Sequence, residues 1–165
     1  MAARVLVLAD LVAAKIADAW RQYDPAFAAP SEVVRDWPDE IGVTPDQAES
    51  LLTGRKVYVF ATAFGAPEMA DRGDLLKRYQ IIAQVVERYA AAGSAPRAWV
   101  DARVNFVEAV VYDVLRDPHA ELSPFTPDPE NPGEIDLVCD LDSLRKRKLF
   151  LSYATFTFTE LQGVS

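Results

Sequence analysis

A strict alternation of two kinds of side chain along Leu149–Glu160 constrains the fold more than any other feature. Successive side chains of a β-strand point to opposite faces of a sheet, so this pattern predicts a long strand with one buried and one wet face. The threonines mark the wet face and the phenylalanines the core face. The two sets are Phe150, Ser152, Ala154, Phe156 and Phe158, and Leu151, Tyr153, Thr155, Thr157 and Thr159.

Two upstream segments predict partner strands for it. Arg55–Phe64 contains the continuous apolar run Val57–Phe60, which suits a strand covered on both faces. Lys77–Tyr89 alternates apolar residues with arginines and glutamines and predicts a second long strand. Roughly a dozen residues join the two, which predicts a hairpin with a long, mobile tip.

Shorter elements are expected elsewhere. A short strand is predicted near Glu32–Asp36 and another at Ile135–Leu141. Thr44-Pro45-Asp46 is expected to cap a turn of helix that runs through Leu52. The five prolines between residues 118 and 134 predict an extended surface loop.

Two segments have the periodicity of amphipathic helices. Along Val5–Tyr23, apolar residues recur every three or four positions, with Lys15 among the polar residues opposite. A second helix is predicted from Pro96 until Pro118, with a wide apolar face that would lie against a sheet. The sequence therefore predicts one α+β domain over residues 1–165, a mixed, mostly antiparallel sheet with two main helices packed on it.

The charge balance argues against general binding to nucleic acid. The net charge is −8, and such a chain has no overall attraction to phosphates. The one dense basic run, Arg145–Lys148, precedes a strand and is expected to be a solvated edge that discourages stray pairing.

The apolar stretch and the single cysteine predict a cytosolic product. Val5–Ala19 is too short and too charged to span a bilayer, and it lacks a convincing cleavage site for a secretory signal. Cys139 has no partner for a disulfide and is expected to be a small buried hydrophobic residue.

The sequence contains no recognisable catalytic or cofactor motif. His119, the only histidine, has Asp117 and Glu121 near it in sequence alone, so a catalytic role is not expected. Asp128–Glu134 lacks the ligand spacing of a calcium loop and is expected to be a solvated acidic loop. Phosphate loops, dinucleotide fingerprints and nucleophile elbows are missing. We expect a protein that is not an enzyme and uses no cofactor or metal.

The order of these elements and several short segments resemble the tail-terminator proteins of long-tailed bacteriophages. The resemblance covers most of Arg55–Phe158 and the opening helix, whereas residues 36–54 and 118–134 match no pattern of that family. The similar segments are, in chain order, Arg55–Phe60, Arg72-Gly73, Tyr79-Gln80, Val85–Tyr89, Trp99–Val104 and Lys148–Phe158.

The resemblance implies a virion protein made in the host cytoplasm. Its copies would close into a ring, commonly a hexamer, on the head-proximal end of the tail tube. The ring would stop tube growth, bind the major tail tube protein and offer a surface to the head-tail connector or stopper. An acidic subunit would let DNA pass through the lumen without specific binding.

The expected contact region is the hairpin tip, Phe64–Asp74. Within the tip we select Phe64, Glu68, Arg72 and Asp74 as oligomer or tube contacts, and on the following strand Arg78 and Arg88. Three alternatives remain open at this point: another neck component such as a head-completion or connector protein, an enzyme that uses Asp and Glu alone, and a small-molecule-binding domain. The last would line its pocket with Trp20, Trp37 and Trp99.

Overall fold

The computed structural model describes residues 3–23, 33–35, 55–69, 74–89, 96–117 and 120–162. These residues form three helices, which we number α1 (Arg4–Tyr23), α2 (Pro96–Arg116) and α3 (Leu141–Arg147). Their seven strands are β1 (Val33–Val34), β2 (Arg55–Phe64), β3 (Glu68–Met69), β4 (Leu75–Arg88), β5 (Thr126–Pro127), β6 (Gly133–Leu137) and β7 (Leu149–Gln162).

The strands form one mixed sheet in the order β1-β2-β4-β7-β5, with β3 added beside β4 and β6 beside β7. Only β1 and β2 run parallel among the described strand pairs; the other pairs are antiparallel. The longest ladder joins β4 to β7 from Leu75 opposite Gln162 to Arg88 opposite Leu149. The predicted strand of alternating Phe and Thr is therefore an inner strand of the sheet, next to the middle strand β4.

Both long helices contribute to a hydrophobic core on one face of this sheet. Trp20 of α1 is fully buried and contacts Phe106 of α2, with ring centroids 4.8 Å apart. Phe156 and Phe158 of β7 are fully buried in the same core. The predicted α+β class, with two main helices packed on a mostly antiparallel sheet, is confirmed. A smaller apolar cluster of Tyr58, Val86 and Leu149 lies on the opposite face.

Most predicted boundaries hold within a few residues. The helix expected from Val5 begins at Arg4, the helix expected at Pro96 begins there, and the strand expected from Lys77 begins at Leu75. Of the strand near Glu32–Asp36, the structure describes Val33 to Arg35, and the turn of helix through Leu52 lies outside the described residues.

The proline-rich segment is not simply the extended surface loop that its composition predicts. Leu122 and Phe125 are buried in the core on either side of the cis peptide bond between Ser123 and Pro124. Just after them, Thr126 and Pro127 pair with the outer edge of β7. The prediction was wrong because two apolar side chains between the prolines give this segment a buried face, so it covers the core.

The strand predicted over Ile135–Leu141 is instead a strand followed by a helix. β6 spans Gly133–Leu137, and the carboxylate of Asp140 then accepts hydrogen bonds from the N–H groups of Asp142 and Ser143. An aspartate in this position satisfies free N–H groups at the start of a helix, so α3 begins at Leu141. The basic run therefore lies on a helix and its C-cap, not in an extended strand edge.

Cys139 and Gly133 lie near this change from strand to helix. Cys139 is only partly buried, which corrects the expectation of a buried residue. Burial and then the charge of Asp140 raise the pKa of its thiol. Gly133 has φ 150°, and an added Cβ would lie 2.4 Å from the carbonyl oxygen of Thr155. A glycine there lets β6 approach β7 closely.

Candidate functional site

The part of the hairpin tip that the structure describes, residues 64–69 and Asp74, contains more strand pairing than the sequence predicts, and residues 70–73 lie outside the described residues. Phe64 pairs with Tyr79, and the N–H of Gly65 donates to the carbonyl oxygen of Arg78 at 2.8 Å. The short strand β3 then pairs with Leu75 and Leu76 of β4. The expectation of a loop of roughly a dozen residues is wrong, because Gly65 and Pro67 interrupt the strand only locally and pairing resumes after them.

Arg78 joins this hairpin to the segment that follows α2. Its Nη1 lies 2.6 Å from Glu68 Oε2, and its Nε lies 3.0 Å from Asp128 Oδ2. Hydrogen bonds to Asp128 and then Glu68 raise the pKa of Arg78 above its ordinary value. The guanidinium thus holds two chain segments that are fifty positions apart in sequence. We call Arg78, Glu68 and Asp128 the hairpin clamp.

Asp128 is the buried member of the clamp, which corrects the expectation of a fully solvated acidic loop. Its carboxylate also accepts hydrogen bonds from the N–H groups of Glu130 and Asn131. Burial opposes ionisation, but the hydrogen bonds from Glu130, Arg78 and Asn131 together with the charge of Arg78 outweigh it, so the pKa of Asp128 lies below its ordinary value. No local sequence signal pairs Asp128 with Arg78, because the contact arises from folding.

The selected contact residues fall on two separate surfaces. On the first surface, Glu68 and Arg78 form an ion pair, and Phe64 pairs with Tyr79, the residue after Arg78. Asp74 is partly buried and immediately precedes β4. Arg88 is exposed at the other end of β4, opposite Leu149. Arg78 and Arg88 are ten positions apart, which corresponds to about 33 Å along a strand. Arg72 lies outside the described residues.

A second polar network, which the sequence did not reveal, lies next to the hairpin. The buried carboxylate of Glu160 accepts hydrogen bonds from Tyr79 Oη at 2.9 Å, from the guanidinium of Arg4 and from Gln162. Burial opposes its ionisation, but the bonds from Arg4 and Tyr79 lower the pKa of Glu160. Burial first, and then Glu160, raise the pKa of Tyr79 to about 12. Arg4, Tyr79 and Lys77 line an open cavity of about 320 Å³.

A third set of charges, two of them buried, ties α1 to the end of α2. The sequence predicts Lys15 on the polar face of α1, yet it is buried, with Nζ 2.7 Å from Asp117 and 3.1 Å from Glu121. Burial alone would lower the pKa of Lys15, but its hydrogen bonds to Asp117 and Glu121 raise it. The two carboxylates flanking His119 in sequence therefore bind a lysine, and His119 itself lies outside the described residues.

These networks have the chemistry of structural supports. Each buried carboxylate described above receives several hydrogen bonds that stabilise its ionised form. Across the described ranges, no group of three or more His, Cys, Asp or Glu side chains could hold a metal ion.

Two of the three tryptophans proposed for a ligand pocket are core residues. Trp20 packs against Phe106, and Trp99 packs edge-on against Tyr89 at 4.9 Å and Phe150 at 6.2 Å. Trp37 lies outside the described residues. Packing explains the positions of Trp20 and Trp99 without a ligand.

Fold and geometry place the chain in the α+β class, with a clamped hairpin at one end of the sheet. The sequence matches no protein-family model, and it matches no curated protein. Among the described helices, none has the length and apolar character needed to cross a membrane.

Proposed function

We propose that this chain is a virion structural protein that ends growth of a bacteriophage tail tube. Copies would form a ring, a hexamer in the simplest case, on the head-proximal end of the tube. One side of the ring would bind the major tail tube protein, and the other would offer a surface to the head-tail connector or stopper. DNA would pass through the lumen without specific contacts.

The observation that carries the proposal is the position of the segments that resemble tail terminators. Arg55–Phe60 lies on β2, and Val85–Tyr89 covers the adjacent end of β4 and the residue after it. Lys148–Phe158 begins at the C-cap of α3 and continues along β7, the other neighbour of β4. Trp99–Val104 lies on α2, where Trp99 contacts Phe150 of β7. Segments far apart in sequence thus form one contiguous unit, as expected if they share a common fold with that family.

The clamp supports the role of the hairpin as a contact element. A ring requires one surface of each copy to meet a different surface of the next at a fixed rotation. A surface that is already ordered in the free subunit loses less conformational entropy on binding. The bonds from Arg78 to Glu68 and Asp128 fix the Glu68 side of the hairpin tip to the rest of the subunit in this way.

Removing the gene from the phage that encodes this chain tests the proposal. Without a terminator, tube polymerisation has no stop at its head-proximal end, so we expect overlong tubes that do not join heads. Tube lengths are measured on negatively stained lysates, with the gene restored in trans as the control. Tubes of normal length that fail to join heads would instead indicate a connector function and contradict the proposal.

A further inference from the structure

Folding gathers five exposed cations at one end of the β4–β7 ladder. Arg145, Lys146 and Arg147 occupy the last turn of α3, and Lys148 is its C-cap. The N–H of Tyr89 donates to the carbonyl oxygen of Lys148 at 2.7 Å, which places Arg88 beside them. We call these residues the basic cluster. Its combination of Arg88 with a run sixty positions later is not visible in the sequence.

Most of this positive charge is not neutralised by ion pairs within the described part of the subunit. Lys146 pairs with Asp142 at 3.4 Å, and the charge of Arg147 helps to lower the pKa of Asp140 after the larger effect of hydrogen bonds from Ser143. Arg88, Arg145 and Lys148 form no ion pair with any described residue. In a chain of net charge −8, this cluster is a local reversal of sign.

The outer edge of the sheet carries the opposite charge. Glu130 precedes β6, and Glu134 and Asp136 lie on it; all three are exposed. Asp136 accepts a hydrogen bond from Thr155, but none of the three pairs with a cation in the described part of the chain. We call them the acidic edge. β6 pairs with β7 on one side, and no described strand pairs with its other side.

The two charged surfaces are too far apart to neutralise each other in one molecule. Glu134 pairs with Thr155 of β7, and Leu137, which follows Asp136, pairs with Tyr153, whereas Arg88 lies opposite Leu149 of the same strand. Four to six residues along a strand correspond to about 13–20 Å. The Debye length at physiological ionic strength is about 8 Å, so their mutual attraction within a subunit is largely screened.

The surface around α3 also has an apolar component. Val138 and Leu141, just before and at the start of α3, are 44% and 56% exposed. Protein contacts commonly combine apolar side chains at the centre with charged groups at the rim. The phosphates of duplex DNA would pair with the cations but would make few apolar contacts with Val138 and Leu141. These two residues therefore favour a protein partner.

We propose that the basic cluster of one copy docks on the acidic edge of the next copy, with Val138 and Leu141 within the contact. Opposite charges on different surfaces favour a head-to-tail contact, because the cluster repels itself. The inference rests on the proposed function, since it specifies which surfaces of the subunit close the ring.

A charge exchange between two variants of the full chain tests this contact. The cluster variant carries Arg88→Glu and Arg145→Glu, and the edge variant carries Glu130→Lys and Glu134→Lys. Sedimentation velocity at low salt should show self-association of each weakened at least about tenfold relative to wild type. An equimolar mixture of the two should associate again, because the new Glu and Lys residues face each other. Added salt should dissociate the wild-type assembly.

Matched control variants carry the same changes of charge at exposed positions outside the proposed contact. Arg97→Glu with Arg116→Glu, and Asp101→Lys with Glu108→Lys, alter exposed positions of α2 and should leave association unchanged. Circular dichroism checks that every variant is folded. Any of four results would overturn the proposed contact: a monomeric wild type, a discrete dimer, no recovery in the mixture, or equal loss in the controls.

Retention of duplex DNA tests whether the basic cluster binds DNA instead of a second copy. Tail length in phage that lack the protein tests the proposed function separately from the contact. If the cluster variant loses retention of duplex DNA but associates normally, the cluster is a DNA contact and the inference is wrong. If tails lacking the protein are overlong while the charge variants associate normally, the inference fails and the proposed function stands. Recovery in the mixture together with tails of normal length supports the contact and contradicts the terminator role.

Discussion

Replacing Trp20 by alanine is expected to lower the free energy of unfolding by about 3–5 kcal/mol. The indole is fully buried between α1 and α2, 4.8 Å from the ring of Phe106, so its removal leaves a large cavity in the core. Urea denaturation followed by circular dichroism measures the change. The matched control is Tyr112→Ala on α2, because that side chain is 65% exposed and should cost less than about 1 kcal/mol.

This comparison also discriminates between packing and ligand binding at Trp20. A tryptophan lining an open pocket would be removed at a cost similar to that of Tyr112, because little packing would be lost. Equal effects of the two substitutions would therefore contradict the core assignment and revive a small-molecule-binding domain as a candidate.

Asp117→Asn is the second substitution with a large expected effect, about 3 kcal/mol of destabilisation. Lys15 and Asp117 are 2.7 Å apart, and their side chains are only 5% and 6% exposed. Asparagine keeps the shape of the residue and suits its positive φ of 30°, but it leaves Lys15 with only the more exposed Glu121. The buried cation then loses its principal counter-charge.

The pH dependence of this effect has a definite sign. Burial, the largest single effect, opposes ionisation of Asp117, but the hydrogen bonds from Lys15, Leu122 and Glu121 together with the charge of Lys15 outweigh it and lower the pKa below the ordinary 3.8. A lowered pKa in the folded state contributes stability above the unfolded pKa, and this contribution is lost as the pH falls through the folded value. The difference between wild type and Asp117→Asn should therefore be constant near neutral pH and shrink below about pH 4.

A surface ion pair on the same helix as Lys15 provides the control for Asp117. Asp18 and Arg21 are 2.5 Å apart but 67% and 46% exposed, so Asp18→Asn should change stability by less than about 0.5 kcal/mol. Equal urea midpoints for Asp18→Asn and Asp117→Asn would mean that Lys15 is as well solvated as a surface lysine.

The long strands and helices could be predicted from the sequence, because their apolar residues repeat many times at the spacing of a strand or a helix. β7 alternates over its whole length, and α1 and α2 each contain several turns of apolar periodicity. α3 was missed because seven residues hold too few turns for a period, and its start depends on the capping carboxylate of Asp140. The sequence alone therefore indicates a strand edge for its basic residues.

The polar contacts could not be predicted, because they join distant parts of the chain. Arg78 and Asp128 are fifty positions apart, and Lys15 and Asp117 are more than one hundred apart. In sequence, Lys15 is one polar residue on an amphipathic helix, and Asp128 is one acid in a proline-rich segment. Only the packing of α1, α2 and the hairpin shows that these charges are paired and partly desolvated.

Cryo-electron microscopy of isolated tail tubes mixed with the purified chain tests the central claim most directly. We predict a closed ring of density on one end of each tube, into which several copies of this α+β subunit fit. Bare tube ends in the presence of excess chain, under conditions where the tubes remain intact, would contradict the account.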